Sequence, residues 1–174
     1  MLKKIGIKNG PVFMQGFIDG DKIRFYDPGL RFPGIEYDRM YYLSTGINLC
    51  KALVTFALTG LIPEEYKSVS NYEKLNEKVV FNLFIPVKSG TITKIIGIDT
   101  IKNNPKTVAF FQKYREGDYV GEHYNVNQRF CEIDMITDSR EDVKQLINWV
   151  YSNLKILDED GNDMKMSMFD TNLL

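Results

Sequence analysis

Two short runs of apolar and β-forming residues lie near the start of the chain, at residues 12–18 and 22–26. Asp19 and Gly20 stand between them, and an Asp-Gly pair flanked by such runs is a strong signal for a β-hairpin. The pattern therefore predicts two antiparallel strands joined by a tight turn, and it leaves the type of turn open.

The turn decides which side chains share a face of this hairpin. A two-residue loop at 19–20 puts Gln15 and Asp27 on opposite faces. A three-residue loop at 18–20 pairs Gln15 with Ile23. We favour the three-residue loop, because alternation along the strands then gives one apolar face that also carries two oxygen-bearing side chains. The residues predicted for that face are Phe13, Gln15, Phe17, Ile23, Phe25 and Asp27.

The clearest helix is predicted at residues 48–59, where apolar side chains recur at intervals of three and four. Gly60 follows at the usual C-cap position, and Pro63 lies just beyond it. We expect this helix to pack its apolar stripe against the sheet that carries the hairpin. Residues 36–42, where tyrosines are crowded, show no clear period.

The second half of the chain is rich in β-forming runs and ends in another amphipathic helix. Asp99 can cap a short helix at 100–103. Ser139, with an acidic residue three positions later, predicts the start of a longer helix at residue 140. The predicted strands lie at residues 79–87, 91–98, 107–114, 119–120, 129–136 and 155–157.

These elements predict an α+β fold. We assign residues 1–63 to an antiparallel sheet with packed helices, residues 64–78 to a polar connection, and residues 79–174 to a smaller, β-rich C-terminal lobe with helices of its own.

Composition narrows the classes of function. A chain of 174 residues with a net charge of −1 lacks the basic footprint of nucleic-acid binders. No apolar run is long enough to cross a bilayer and no secretory signal is visible, so we expect a cytoplasmic protein that does not bind membranes. The isolated Cys50 and Cys131 indicate buried thiols of a reducing compartment. His123, in a polar loop, is interpreted as a surface residue rather than a catalytic base.

Gln15, Asp27 and Arg31 carry the candidate chemistry. Gln15 and Asp27 are twelve residues apart, and Arg31 follows four after Asp27. This spacing resembles the ATP-grasp superfamily, which includes biotin carboxylase and the large subunit of carbamoyl phosphate synthase. The resemblance implies that Gln15 and Asp27 stand where two Glu residues hold magnesium between the ATP phosphates. The second Glu opens a Glu-x-Asn-x-Arg signature, whose Asn falls on Gly29 and whose Arg, facing the acidic substrate, falls on Arg31.

The second half carries a further resemblance, to the C-terminal lobe of ATP-grasp ligases related to amino-acid ligases. It rests on the order of several weak motifs along the chain. They are Gly90-Thr91, Gly97, the run at 117–120, Asn127-Gln128-Arg129 and the helix that follows Asp138.

The candidate site departs from the family pattern. Only Arg31 is identical, while Asp27 keeps the carboxylate on a shorter arm, Gln15 offers a neutral amide oxygen and Gly29 offers no side chain. Magnesium is usually held by one or two carboxylates together with substrate phosphates. The sequence thus predicts a weakened or altered site for magnesium and ATP. The other interpretation is that the Asp-Pro-Gly run at 27–29 is simply a turn.

The function hypothesis is the C-terminal part of an ATP-grasp ligase, of the carboxylate–amine or carbamoyl phosphate synthase-like kind. The resemblance implies ATP and Mg²⁺ as cofactors, and a small carboxylate and an amine as substrates. In the family the adenine cleft precedes the hairpin, and ten residues cannot form it. We expect that missing N-terminal portion in cis or in trans, and we expect this chain alone to be inactive.

The alternative hypothesis is a non-catalytic binding or assembly module that keeps the fold with degraded metal ligands. An apolar hairpin face would also favour a homodimer.

Overall fold

The structure is a computed structural model that describes residues 2–7, 10–34, 37–62, 78–123, 125–168 and 170–173. The chain separates into two compact units, which we call unit 1 (Met1–Leu75) and unit 2 (Asn76–Leu174). The connection predicted at 64–78 lies outside the described residues except for Lys78. The predicted α+β class is confirmed, because the described residues combine antiparallel sheets with four helices.

Unit 1 contains a β-hairpin followed by two helices. The hairpin forms a two-stranded sheet of its own. The first helix covers the tyrosine-rich segment, in which apolar residues show no clear period. After a 3₁₀ turn at Leu2–Ile5, the elements are β1 (Phe13–Asp19), β2 (Lys22–Gly29), α1 (Tyr37–Thr45) and α2 (Leu49–Thr59).

The helix α2 begins and ends where its sequence signals predict. The Asn48 side chain accepts a hydrogen bond from the Lys51 N–H at 2.8 Å and caps the N-terminus. Gly60 takes the left-handed conformation, with φ +70°, and its N–H donates to the Phe56 carbonyl at 2.7 Å. The apolar stripe of α2 lines a groove of about 190 Å³ together with segments that flank the hairpin, including Pro11 and Phe32.

Unit 1 has no buried side chain among its described residues. Large apolar side chains stay exposed instead, among them Phe17 at 66%, Ile18 at 83% and Leu58 at 82%. A two-stranded hairpin is at best marginally stable by itself in water. The described part of unit 1 therefore shows an apolar surface that has the character of an uncovered interface.

Unit 2 has a three-stranded antiparallel sheet in the order β3-β8-β6, with two small strand pairs, β4-β7 and β5-β9. Its elements in chain order are β3 (Val79–Pro86), β4 (Gly90–Thr91), β5 (Lys94–Ile96), α3 (Ile98–Lys102), β6 (Thr107–Gln112), β7 (Tyr119–Val120), β8 (Arg129–Thr137), α4 (Arg140–Asn153) and β9 (Lys155–Leu157).

The core of unit 2 lies between the central strand β8 and the helix α4. Ser139 caps α4 as predicted, since its hydroxyl oxygen accepts a hydrogen bond from the Asp142 N–H at 3.1 Å. The apolar stripe of α4 is buried in the same cluster as alternate residues of β8. These residues are Cys131, Ile133, Met135, Val143, Leu146, Ile147 and Val150.

The strand predicted at 91–98 is interrupted in the structure. It forms β4, then β5, and Ile98 already begins α3. Gly97 precedes this helix at φ +94°, and Asp99 lies inside the first turn rather than capping it. The reason is a close approach to α4, because a Cβ on Gly97 would lie 2.1 Å from the Asn153 carbonyl oxygen. The backbone therefore turns where β-branched residues favour a strand.

A lysine holds the segment after β9 in place. The largely buried ammonium of Lys165 donates to the carbonyls of Tyr151 and Leu154 at the end of α4. It also lies 3.4 Å from the Asp163 carboxylate. A side chain thus satisfies carbonyls that the helix itself leaves without partners. The neighbouring Met164 is buried in the core.

The prediction of two buried thiols is confirmed for Cys131 and wrong for Cys50, which is exposed. The Cys50 thiol donates to the Asp38 carboxylate at 3.1 Å, and this hydrogen bond raises the pKa of Cys50. Burial raises the pKa of Cys131. His123 is exposed. Among the described helices, none combines the length and the apolar character that a membrane span requires.

Candidate functional site

The register of the hairpin places Gln15 directly opposite Asp27. Pairing continues to Asp19 opposite Lys22, so the loop consists of the two residues between them. Both predicted loops, at 19–20 and at 18–20, are therefore wrong, because the observed loop lies at 20–21. Gly20 nevertheless takes the left-handed conformation that the favoured loop requires, at φ +58°.

A bulge in β2 brings the two candidate ligands together. Gly16 pairs with Phe25, whereas Gln15 pairs with Asp27, so Tyr26 is an extra residue in β2. Residues directly opposite in an antiparallel pair point to the same face, with their Cβ atoms about 5 Å apart. The side chains of Gln15 and Asp27 are therefore neighbours.

We call the face of the hairpin that carries Gln15 and Asp27 the site face. Phe17 lies two residues from Gln15 along β1 and is therefore on the same face. Its ring stacks on Tyr26, with the ring centroids 4.8 Å apart, so Tyr26 lies there as well. Sequence reasoning missed Tyr26, because simple alternation puts it on the face opposite to its neighbour Asp27.

Two apolar residues predicted for the site face, Ile23 and Phe25, lie on the other face. They pair with even-numbered residues of β1, which alternate with Gln15. The physical reason is that the loop ends one residue further along than either predicted loop. The bulge at Tyr26 then returns Asp27 to the face of Gln15.

Arg31 also lies on the site face. Its guanidinium carbon is 5.4 Å from the centre of the Phe13 ring, and Phe13 precedes Gln15 by two residues on β1. A Cβ added to Gly29, which pairs with Phe13, would lie 3.6 Å from the Arg31 Cγ. The guanidinium donates to the Phe32 carbonyl at 2.9 Å. The hairpin thus brings the three predicted site residues to one face.

The facing residues Gln15 and Asp27 offer one amide oxygen and one carboxylate, and both residues are exposed. Such a pair fits a magnesium ion that is held mainly by phosphates, because Mg²⁺ commonly takes only one or two carboxylates from the protein. In the described ranges, no group of three or more His, Cys, Asp or Glu side chains is placed to hold a metal. Binding at Gln15 and Asp27 stays a prediction.

Comparison with known proteins gives structural similarity only. No protein-family model and no curated protein sequence matches the chain. The crystal structure of an L-amino acid ligase from Bacillus licheniformis matches 91% of this chain, with a TM-score of 0.75 and 24% identity. That of phosphoribosylglycinamide synthetase from Anaerococcus prevotii also matches 91%, with a TM-score of 0.74 and 17% identity.

These matches confirm the resemblance to ATP-grasp enzymes at the level of the fold. The chain spans 38% of the first matched protein and 39% of the second. It therefore has the fold of part of each of these two enzymes.

Proposed function

We propose that this chain contributes the metal, phosphate and substrate contacts of an ATP-grasp ligase that joins a small carboxylate to an amine, or is carbamoyl phosphate synthase-like. The observation that carries the proposal is the direct pairing of Gln15 with Asp27 on the face that holds Arg31. The similarity of the fold to part of two such enzymes supports it.

Each residue of the site face has a proposed role. Asp27 provides the charged ligand to magnesium, and Gln15 provides a neutral oxygen beside it. Arg31 pairs with the substrate carboxylate or with the acyl phosphate formed from it, since a guanidinium matches both groups with two parallel hydrogen bonds. Bound magnesium would neutralise charge on the phosphate oxygens. The Phe13 ring contacts the Arg31 guanidinium and holds this cation near Gln15 and Asp27.

The proposed enzyme needs a second part that contains the adenine cleft, in cis or in trans. Unit 1 supports this requirement. None of its described residues is buried, and apolar side chains lie exposed on the hairpin and on α2. Without that part, we expect two copies of the chain to associate through the hairpin. We place the protein in the cytoplasm, with neither nucleic acid nor membranes among its partners.

The alternative is a non-catalytic module for binding or assembly. It is favoured by the replacement of the two family ligands by Gln15 and Gly29. The φ angle of Gly29 is not positive and a Cβ there meets only ordinary contacts, so the backbone does not require glycine. The loss of the family Asn is therefore not forced by the fold.

Calorimetric titration with magnesium and ATP tests the proposal. We expect heat of binding in the wild type, and we expect it to disappear in Asp27→Ala, because the carboxylate that faces Gln15 is removed. Asp21→Asn is the matched control, since it removes an exposed carboxylate from the loop of the same hairpin. Equal heats in wild type and Asp27→Ala would remove Asp27 from the site.

A variant that restores the family ligands tests whether the ligands alone are deficient when the wild type gives no heat. Gln15→Glu combined with Gly29→Asn adds a carboxylate and an amide to the site face. We expect this variant to bind magnesium and ATP if only the ligands are deficient. If neither protein gives heat of binding, the chain is either a non-catalytic module or part of a site that is incomplete without its N-terminal portion.

Reconstitution with an ATP-grasp N-terminal portion tests Arg31. We expect the mixture to gain ATPase or ligase activity, and we expect Arg31→Ala to abolish it. Arg24→Ala is the control, because Arg24 is an exposed arginine of the same hairpin that pairs with Asp19. Activity that survives Arg31→Ala would exclude this residue from the mechanism.

A further inference from the structure

An open pocket of about 620 Å³ lies within unit 2, apart from the residues proposed above. Residues at the start of α3 form one wall and the segment that follows β6 forms the other. The polar lining comes from Asp99, Thr100, Gln112, Arg115 and Glu116, with Gly97 at the base of α3.

Opposite charges share this pocket without neutralising each other. In the described part of the chain, the Arg115 guanidinium forms neither an ion pair nor a side-chain hydrogen bond, and the same holds for the Asp99 carboxylate. One Glu116 oxygen accepts the Ile95 N–H at 2.8 Å. Two carboxylates and one guanidinium thus face a common cavity.

The backbone that carries these charges is anchored on both walls. The Arg115 N–H donates to the Asp118 carboxylate at 2.6 Å, and the Gly117 N–H donates to the Ile92 carbonyl at 2.7 Å. Gly97 packs against the end of α4 in a position where only glycine fits. The backbone on both walls is therefore held in place before any ligand arrives, which lowers the entropic cost of binding.

We propose that this pocket binds a free α-amino acid. Its carboxylate pairs with the Arg115 guanidinium, and its ammonium lies between the Asp99 and Glu116 carboxylates. A zwitterion satisfies both kinds of unpaired charge at once, whereas an anion or a cation alone satisfies only one. The inference rests on the charges of the pocket and is independent of the function proposed for the hairpin.

Titration of the whole ¹⁵N-labelled chain, followed by NMR, tests the proposal. The probes are the individual free L-amino acids, beginning with glycine. We expect saturable shifts at the amides of Gly97, Thr100 and Glu116. N-acetylglycine lacks the ammonium and glycinamide lacks the carboxylate, so each should bind about tenfold more weakly, as expected for a lost hydrogen bond between charged groups.

Variants assign the two ends of the ligand. Arg115→Met and Asp99→Asn should each weaken binding about tenfold or more. Lys94→Met and Glu159→Gln, which remove exposed charges outside the pocket, should leave it unchanged. Spectra that match the wild type elsewhere show that the variants are folded.

Three results would overturn the proposal. They are the absence of saturable shifts with every amino acid, equal binding of the blocked analogues, and wild-type affinity in Arg115→Met. Asp27→Ala separates this site from the hairpin, because it removes the proposed magnesium–ATP binding and should leave the amino-acid titration unaffected. Shifts that vanish in Asp27→Ala would place the amino acid at the hairpin and would also count against the pocket.

Discussion

Asp158 organises the turn that follows β9. Its carboxylate accepts hydrogen bonds from the backbone N–H groups of Asn162, at 2.8 Å, and of Asp160, at 3.0 Å. The Asn162 bond is the main reason why the pKa of Asp158 lies below its ordinary value, because both bonds favour the charged carboxylate.

This shift predicts how the turn responds to acid. Because the pKa of Asp158 is lowered in the folded state, its carboxylate contributes its full stabilisation at pH values above the ordinary pKa of about 3.9. This contribution disappears as the pH falls through the folded-state pKa. We expect the difference in unfolding free energy between wild type and Asp158→Ala to become smaller as the pH falls over that range. Urea unfolding at several pH values measures it, and a constant difference would contradict the assignment.

The site residues show what single residues can reveal in a sequence. Gln15, Asp27 and Arg31 were found from residue type and spacing. Their presence on one face depends on the extra residue Tyr26, which shifts the register by one. A bulge has no signature in the side chains of one strand, so neither the correct pairing nor the part played by Tyr26 was predictable.

At the scale of elements, periodicity succeeds where apolar residues recur at a clear interval and fails where they do not. The helices α2 and α4 and the strands β3, β6 and β8 were predicted because their apolar stripes or runs are clear. The helix α1 was missed, since its apolar residues show no clear period and its tyrosines favour strands. The break before α3 was missed because its cause, Asn153, lies far along the chain.

The contact of Gly97 with the end of α4 makes a strong prediction. Gly97→Ala should cost at least about 3 kcal/mol, because strain from a positive φ adds to overpacking against the Asn153 carbonyl. Gly161→Ala is the matched control, since Gly161 also has a positive φ, +79°, but open space around it. It should cost only about 1 kcal/mol. Thermal or urea unfolding gives both values, and equal costs would show that the contact is unimportant.

At the scale of the whole molecule, the two units differ in how they are stabilised. Every buried residue in the described part of the chain belongs to unit 2. Sequence patterns predict apolar positions, but they do not tell whether a given apolar side chain meets another within the same chain. The lack of a core in the described part of unit 1 was therefore not predictable from its composition.

Hydrogen exchange should separate the two units. We expect the amides of β1 and β2 to exchange orders of magnitude faster than those of β8, because strand pairs without buried side chains open at little cost. Mass spectrometry of peptides from the intact chain measures this difference. Similar protection in both units would mean that another surface packs on the hairpin in solution. If this protection increases with protein concentration, that surface belongs to a second copy of the chain.

The position of Lys165 along the chain has a consequence in time. A ribosome makes α4 first, and the carbonyls at the end of this helix have only water as partner until the lysine emerges some ten residues later. Unit 2 should therefore gain its last increment of stability only when this segment has left the exit tunnel. Stalled nascent chains that expose residue 161 but not 168 should be cut faster by protease than longer ones. Lys165 thus provides the hydrogen-bond donors for the end of α4 only after the helix itself has been synthesised.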